Sequence, residues 1–492
     1  MPIGPGQSDP MERDSRPCPG SAVRAPVPPA AGNGRPRTRV PWSLPVADAP
    51  DTLFDAVGVG IGPFNLSAAA LLHPLPELRT RFYEREPEFQ WHPGLLFPEA
   101  TIQVSYLKDL VTLADPTSSF TFLSFLHATG RLYRFINAGF PRVNRREFNQ
   151  YLRWVAASLP GLCFGRGVDE VRFEHDALVV YAGGERVRTR SVILGTGLVQ
   201  AVPECARRHL GATVFHAYGF LHQEGSLAGK RVAVVGGGQT GAEVVSHLLA
   251  DDRALPERVL WISRRANFLP LDESPFTNEM FTPGYSDYFF GLGAPERAGL
   301  LREQKLASDG ISGELLDSIY RRLYLLELVE GRTGLCSLYP RRELEALDPC
   351  RGAWTLEVNG GADGARETLH ADVVVLATGA EYRVPPCLAP LDGRIPRAGD
   401  ELVVRDDFSV EWDGPPELRI YLQNGARHRR GVADPNLSLM AWRSARIVNS
   451  IAGRHVYDVE EAHPLVRWAA LPPQPPTGGT LDEQHHGAGA PS

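Results

Sequence analysis

Asp55-Ala56-Val57-Gly58-Val59-Gly60-Ile61-Gly62-Pro63-Phe64-Asn65-Leu66 is the stretch that decides the fold of this 492-residue chain. It opens as a short apolar strand and ends in glycines, where a side chain would block a pyrophosphate. A helix then begins whose N-terminal amides can hold that anion. The run reads as a dinucleotide site. Strand Phe54 to Val59, the glycine turn, a helix from Asn65 to about Leu72 and a strand from Arg81 to Glu84 complete a βαβ unit. Glu84 falls about twenty-five residues beyond Gly58, at the end of the second strand, where an acid accepts hydrogen bonds from a ribose. The alternative is an ordinary glutamate in a charged surface run.

A second such run lies far downstream, from Arg231 to Glu243. Gly236, Gly238 and Gly241 fit GxGxxG, an apolar strand precedes them, and Val244, Val245 and Leu248 begin a helix. Its second strand, Arg258 to Ser263, ends in Arg264-Arg265 instead of an acid. An arginine there pairs with a 2′-phosphate that an acid would repel, which argues for NADP over NAD; a solvated basic pair is the alternative.

Length and composition bound the rest. At about 150 residues per domain the chain holds two or three domains. A formal net charge of -7 offers no basic surface for nucleic acid or anionic membrane, so a small-molecule enzyme is favoured. Six scattered cysteines form no CxxC pair and no cluster with histidine, which suggests a reduced, cytoplasmic protein without a metal site. No run of about eighteen uncharged apolar residues is present, and the N-terminus lacks the apolar core of a secretory signal.

The fold class expected is α/β: two interleaved Rossmann-like dinucleotide folds with a small, mainly helical substrate region. Residues 1–50, rich in Pro, Gly, Ser and Arg, read as a disordered tail, and so do 471–492. The first fold is expected over 51–225, the second over 226–370 with an insertion at about 270–335, and a return to the first over 371–470. Apolar strands ending in Thr-Gly follow each glycine run, at Ser191 to Gly197 and at Asp372 to Gly379, and mark the interleaving.

An acid in the first fold and arginines in the second are explained by FAD in the first and NADPH in the second, with hydride passing from nicotinamide to flavin. A disulfide reductase would need a reactive cysteine pair, and none lies near either fold. Oxygen is then the simplest acceptor. His92 or Lys108 alone would be a structural or solvated residue.

Six segments in order carry a resemblance: Gly58 to Leu66, Gln90 to Gly94, Gln103 to Leu110, Gly236 to Gly241, Ser274 to Glu279, and Leu376 to Gly379. Together they resemble the microbial lysine/ornithine N-hydroxylases of siderophore biosynthesis, over about residues 54 to 470. The resemblance implies a flavin N-hydroxylating monooxygenase: NADPH reduces FAD, O2 gives a C4a-hydroperoxyflavin, and the neutral terminal amine of a basic amino acid takes the distal oxygen. Catalysis is then by positioning and exclusion of water, and no acid or base is assigned.

By the same resemblance, FAD contacts are expected at Gly58, Gly60, Gly62, Pro63, Asn65, Glu84, Trp91, His92, Gln103, Asn436 and Leu437. NADP contacts are expected at Gly236, Gly237, Gly238, Gln239, Thr240 and Arg264. Lys108 matches the lysine that pairs with the substrate α-carboxylate and Asn278 the asparagine beside it, with Asp309 and Ser438 also expected at the substrate. A homo-oligomer, a tetramer, is implied.

Ser308 to Ile311 looks more like the lysine enzymes, while Ser274 to Glu279 looks more like the ornithine enzymes. A diamine has no carboxylate, and a lysine at 108 would repel its second ammonium. L-lysine is therefore the first choice, with L-ornithine, putrescine and cadaverine as alternatives. More distant readings are another flavin monooxygenase and a protein that binds nucleotide without hydroxylating.

Overall fold

Strand Leu53–Val59 sits at the centre of a seven-stranded sheet, flanked in parallel by Thr80–Tyr83 and Glu185–Leu194. Both faces of such a strand are covered, which is why it reads as a nearly continuous apolar run. Val57, Val59, Val192 and Leu194 point into one core, and Ala56, Phe82 and Ile193 into another under helix Pro63–Leu72. The far edge of Glu185–Leu194 is shared: its first half pairs antiparallel with Ala177–Ala182, and Ser191 to Leu194 pair in parallel with Arg419–Leu422. The computed structural model describes residues 52–360, 364–460 and 465–468. The tails expected at 1–50 and 471–492 lie outside them.

The second sheet is wholly parallel, in the order Cys336–Pro340, Arg258–Ser263, Arg231–Val235, Val373–Leu376, Val214–His216. Helix Gln239–Leu248 covers one face. The antiparallel strands Arg342–Cys350, Ala353–Gly360 and Ala365–Ala371 cover the other. Two expected boundaries are therefore corrected. Val214–His216 already belongs to the second sheet, and Val373–Leu376 is its central neighbour of Arg231–Val235, not the start of the return. Both are short apolar strands whose side chains alone do not choose between two sheets of like composition.

Residues 270–335 are mainly helical, with Pro283–Gly291, Ala294–Glu303 and Gly313–Tyr324 the longest elements. The return to the first fold is made by Arg419–Leu422 and by helix Met440–Ala452. Gln423 Nε2 donates to Phe64 O at 3.0 Å, and Tyr457 Oη donates to Leu71 O at 2.6 Å, so the end of the chain is tied to the first helix. Beneath this junction Arg443 and Asp434, each only 1% exposed, form an ion pair at 2.9 Å. Arg443 also donates to Asp434 O at 2.7 Å, and its guanidinium lies 4.7 Å from the Phe64 ring centre.

Candidate functional site

The first glycine turn divides its labour. A Cβ on Gly58 would fall 1.9 Å from the Phe82 ring, and Gly60 has φ +85 with Gly195 O only 2.7 Å from where a Cβ would stand. Both glycines let strand and turn close. Gly62 caps helix Pro63–Leu72 with no side-chain bond, no acid lies in the first turn, and the nearest atom to its would-be Cβ is 3.9 Å away. The positive end of the helix is thus left without an acid or a side-chain cap of its own, as a pyrophosphate site requires. Glu84, half-buried, accepts from Ile61 N at 2.8 Å and Glu86 N at 3.1 Å, which holds the acid at the turn.

Asn65, expected at FAD, turns its donors inward while its Oδ1 is buried without a partner. It is fully buried, and its Nδ2 donates to Val59 O, Gly60 O and Ile193 O, so it ties strand ends together instead of offering its amide donors to a ligand. Gly60→Ala is expected to cost about 2–3 kcal/mol through the left-handed φ and the carbonyl contact. Purified Gly60→Ala should carry at least about tenfold less tightly held FAD at 1.4 kcal/mol per factor of ten; an unchanged flavin-to-protein absorbance ratio on dilution would refute it.

The loop from Trp91 to Leu110 runs across this fold. His92 has φ 47, and its ring stands 5.1 Å from that of Tyr218 and 5.4 Å from that of Trp91. Trp91, half-buried, packs on Phe148. The Gln103 Nε2 is buried with no hydrogen-bond partner, a donor that needs one. An open helix end, an acid at the turn and an orphaned amide fit FAD. Asn436 and Leu437 are half-buried, and Asn436 Oδ1 accepts from both the amide and the hydroxyl of Ser438 at 2.8 Å. Ser438, expected at the substrate, is buried, and its hydroxyl donates to Asn436.

In the second turn Gly236 has φ +140, with Ala377 O 2.0 Å from its would-be Cβ; Gly237 meets Ser263 Oγ at 2.1 Å, and Gly241 meets Gly236 O at 2.1 Å. Gly238 caps helix Gln239–Leu248 without a side-chain bond and is open to 3.9 Å. Thr240 lies half-buried in the first turn of that helix, and Arg264 is exposed just past strand Arg258–Ser263, 3.7 Å from Glu343. This arrangement fits a dinucleotide with a 2′-phosphate. Gln239, expected at NADP, has both ends of its amide engaged within the protein: its Oε1 accepts from Ser312 N at 2.9 Å and its Nε2 donates to Glu243 at 3.0 Å.

Lys108 lies half-buried on a loop that Asp109 clamps. Asp109 carboxylate oxygens accept from the amides of Val111, Thr112 and Phe122 at 2.6 to 3.0 Å. Burial pushes the Lys108 pKa below its ordinary 10.5, and the Glu279 carboxylate pulls it back up. Asn278, exposed, precedes Glu279 on the turn that Ser274 begins with a hydrogen bond to Thr277 N. Lys108 is thus within electrostatic reach of Glu279, the residue after Asn278, whose own Nδ2 donates to Glu273 O at 3.3 Å. Glu279 was legible only as the last residue of the Ser274 to Glu279 segment. The Asp309 carbonyl accepts from Arg265 and lies near Gly238 at the second glycine turn, while its carboxylate accepts from Ser308 Oγ at 2.9 Å and stands 3.9 Å from Arg427.

The chain matches the family model for L-lysine 6-monooxygenase/L-ornithine 5-monooxygenase over residues 52–383. It is 40% identical over 420 residues to an L-lysine N6-monooxygenase of Escherichia coli, covering 84% of this chain and 98% of that one. The solved cadaverine monooxygenase of the desferrioxamine pathway of Erwinia amylovora, bound to FAD, superposes with a TM-score of 0.80 at 30% identity, covering 86% of this chain and 100% of that one. An ornithine N-hydroxylase of Kutzneria, with reduced FAD, NADP+ and L-ornithine, gives 0.76 at 31% identity, covering 82% and 99%.

Proposed function

The chain belongs to the L-lysine 6-monooxygenase/L-ornithine 5-monooxygenase family, and from that premise we propose that it hydroxylates the N6 amine of L-lysine for a hydroxamate siderophore. It is an NADPH-dependent flavin N-monooxygenase. The observation that supports the substrate reading is the part-buried Lys108 ammonium within electrostatic reach of the Glu279 carboxylate, on the loop that Asp109 clamps. One cation and one anion in the same region match a zwitterion: Lys108 takes the α-carboxylate and Glu279 the α-ammonium, with Asn278 preceding Glu279 in the chain. The greater identity to the E. coli lysine enzyme supports lysine over ornithine.

When bound, FAD reduced by NADPH would activate O2 for transfer of one oxygen atom to the amine. The protein's share is positional. The open ends of helices Pro63–Leu72 and Gln239–Leu248 hold the two pyrophosphates, and Glu84 takes the flavin-side ribose. Gln103 offers its free amide hydrogens to the flavin, and Arg264 the 2′-phosphate of NADPH. A substrate fixed at its α-end brings its amine to one place, which gives a near-attack geometry without a strong base.

Cadaverine is the second reading, on the strength of the Erwinia structure. Glu279 suits its second ammonium, but Lys108 opposes it. Purified enzyme assayed for hydroxylamine with lysine, ornithine, putrescine and cadaverine decides; a kcat/KM for cadaverine above that for lysine refutes the proposal. A tetramer is the expected assembly, read by light scattering.

The pH dependence follows from the same contact. Carboxylate binding requires protonated Lys108, whose pKa lies below 10.5, so binding is present below that lowered pKa and lost as pH rises through it. Lys108→Arg stays charged and removes this alkaline limb. Binding-versus-pH profiles for norleucine that superimpose in the two enzymes would refute the assignment.

A further inference from the structure

Arg145 is the first residue of helix Arg145–Ser158, a cation at the positive end of a helix dipole, where it is disfavoured. It is held there by a forked ion pair. Its Nη1 donates to Glu243 Oε2 at 2.9 Å and its Nη2 to Glu243 Oε1 at 2.7 Å, with side chains 12% and 5% exposed. Arg145 also donates to Leu95 O at 3.1 Å and to Thr101 O, the two flanks of the loop between His92 and Gln103. Glu243 stands one turn beyond Gln239 on helix Gln239–Leu248 and accepts from its amide, which in turn accepts from Ser312 N.

One carboxylate therefore joins three parts of the chain: the flavin loop through Arg145, the helix at the nicotinamide turn, and the helical insertion through Gln239 and Ser312. We propose that Glu243 is the positioning residue that sets the nicotinamide fold against the flavin loop, with Arg145 and Gln239 as its two arms. It acts through residues on both sides, its carboxylate being taken up by Arg145 and Gln239. The pair is too buried to serve as surface charge, and its geometry is bidentate, so a shift of either fold breaks two hydrogen bonds at once. The role holds whichever amine is hydroxylated.

Glu243→Gln keeps the shape and removes the charge. In the purified flavoprotein, anaerobic flavin reduction by NADPH is expected to slow about 10- to 100-fold, the penalty of a misplaced reacting pair. Flavin content, and the rate at which dithionite-reduced enzyme consumes O2 without NADP+, should stay unchanged. Hydrogen exchange of the Ser312 amide and of the 95–101 segment, measured without NADPH, should rise. Arg145→Lys keeps the charge but not the fork; it should show the same pattern more weakly and serves if Glu243→Gln fails to fold. The proposal is overturned if both variants that fold reduce flavin at the native rate with native exchange at Ser312. It is equally overturned if flavin content and the O2 reaction fall in step with the reduction rate.

Discussion

Lys108→Ala is expected to lower kcat/KM for L-lysine by roughly 30- to 700-fold, almost entirely through KM, while NADPH oxidation without substrate stays near its native rate. The figure is the loss of a part-buried charge-assisted contact, about 2–4 kcal/mol at 1.4 kcal/mol per factor of ten. The α-carboxylate is bound alike in the ground and transition states, so its loss raises KM and spares kcat. Lys108 stands on a loop clamped by Asp109, so the truncation leaves the backbone where it was. Steady-state kinetics with hydroxylamine as the product checks this; an unchanged KM, or a fall in kcat alone, removes Lys108 from carboxylate binding. Cadaverine, lacking the carboxylate, should gain from the same substitution.

Asp434→Ala should have the largest effect on stability, about 3–5 kcal/mol, because it strands the Arg443 guanidinium in the core. Asp434 also accepts from Ala426 N at 2.8 Å, so a backbone donor is orphaned as well. Chemical denaturation of the holoenzyme reads the loss. Pairing Asp434→Ala with Arg443→Met should recover part of it, since an apolar side chain of similar length removes the uncompensated charge. A midpoint that stays native in the single variant would show that the pair contributes nothing.

What the sequence disclosed was local. Glycine turns state their own geometry: Gly60 and Gly236 need positive φ, and neither has room for a Cβ. Strands flanking them follow from apolar runs. Partner choice across the fold was not disclosed. Val373–Leu376 carries the same Thr-Gly ending as its counterpart at Ser191 to Gly197, yet lies beside Arg231–Val235 because pairing depends on the connections, not on composition. Asn65 and Gln239 stand within the cofactor motifs but spend their amides on the protein, which only distances reveal. Arg145 with Glu243 passed unnoticed because 98 residues separate them.

The divided edge of strand Glu185–Leu194 also sets an order of events during synthesis. Every strand of the nicotinamide sheet has left the ribosome once Leu376 has emerged, whereas the flavin sheet waits for Arg419–Leu422 to cover Ser191 to Leu194. Until then the older half of the molecule carries an open strand edge, the kind of template on which nascent chains misassociate. The fold begun first on the ribosome is therefore the one finished last.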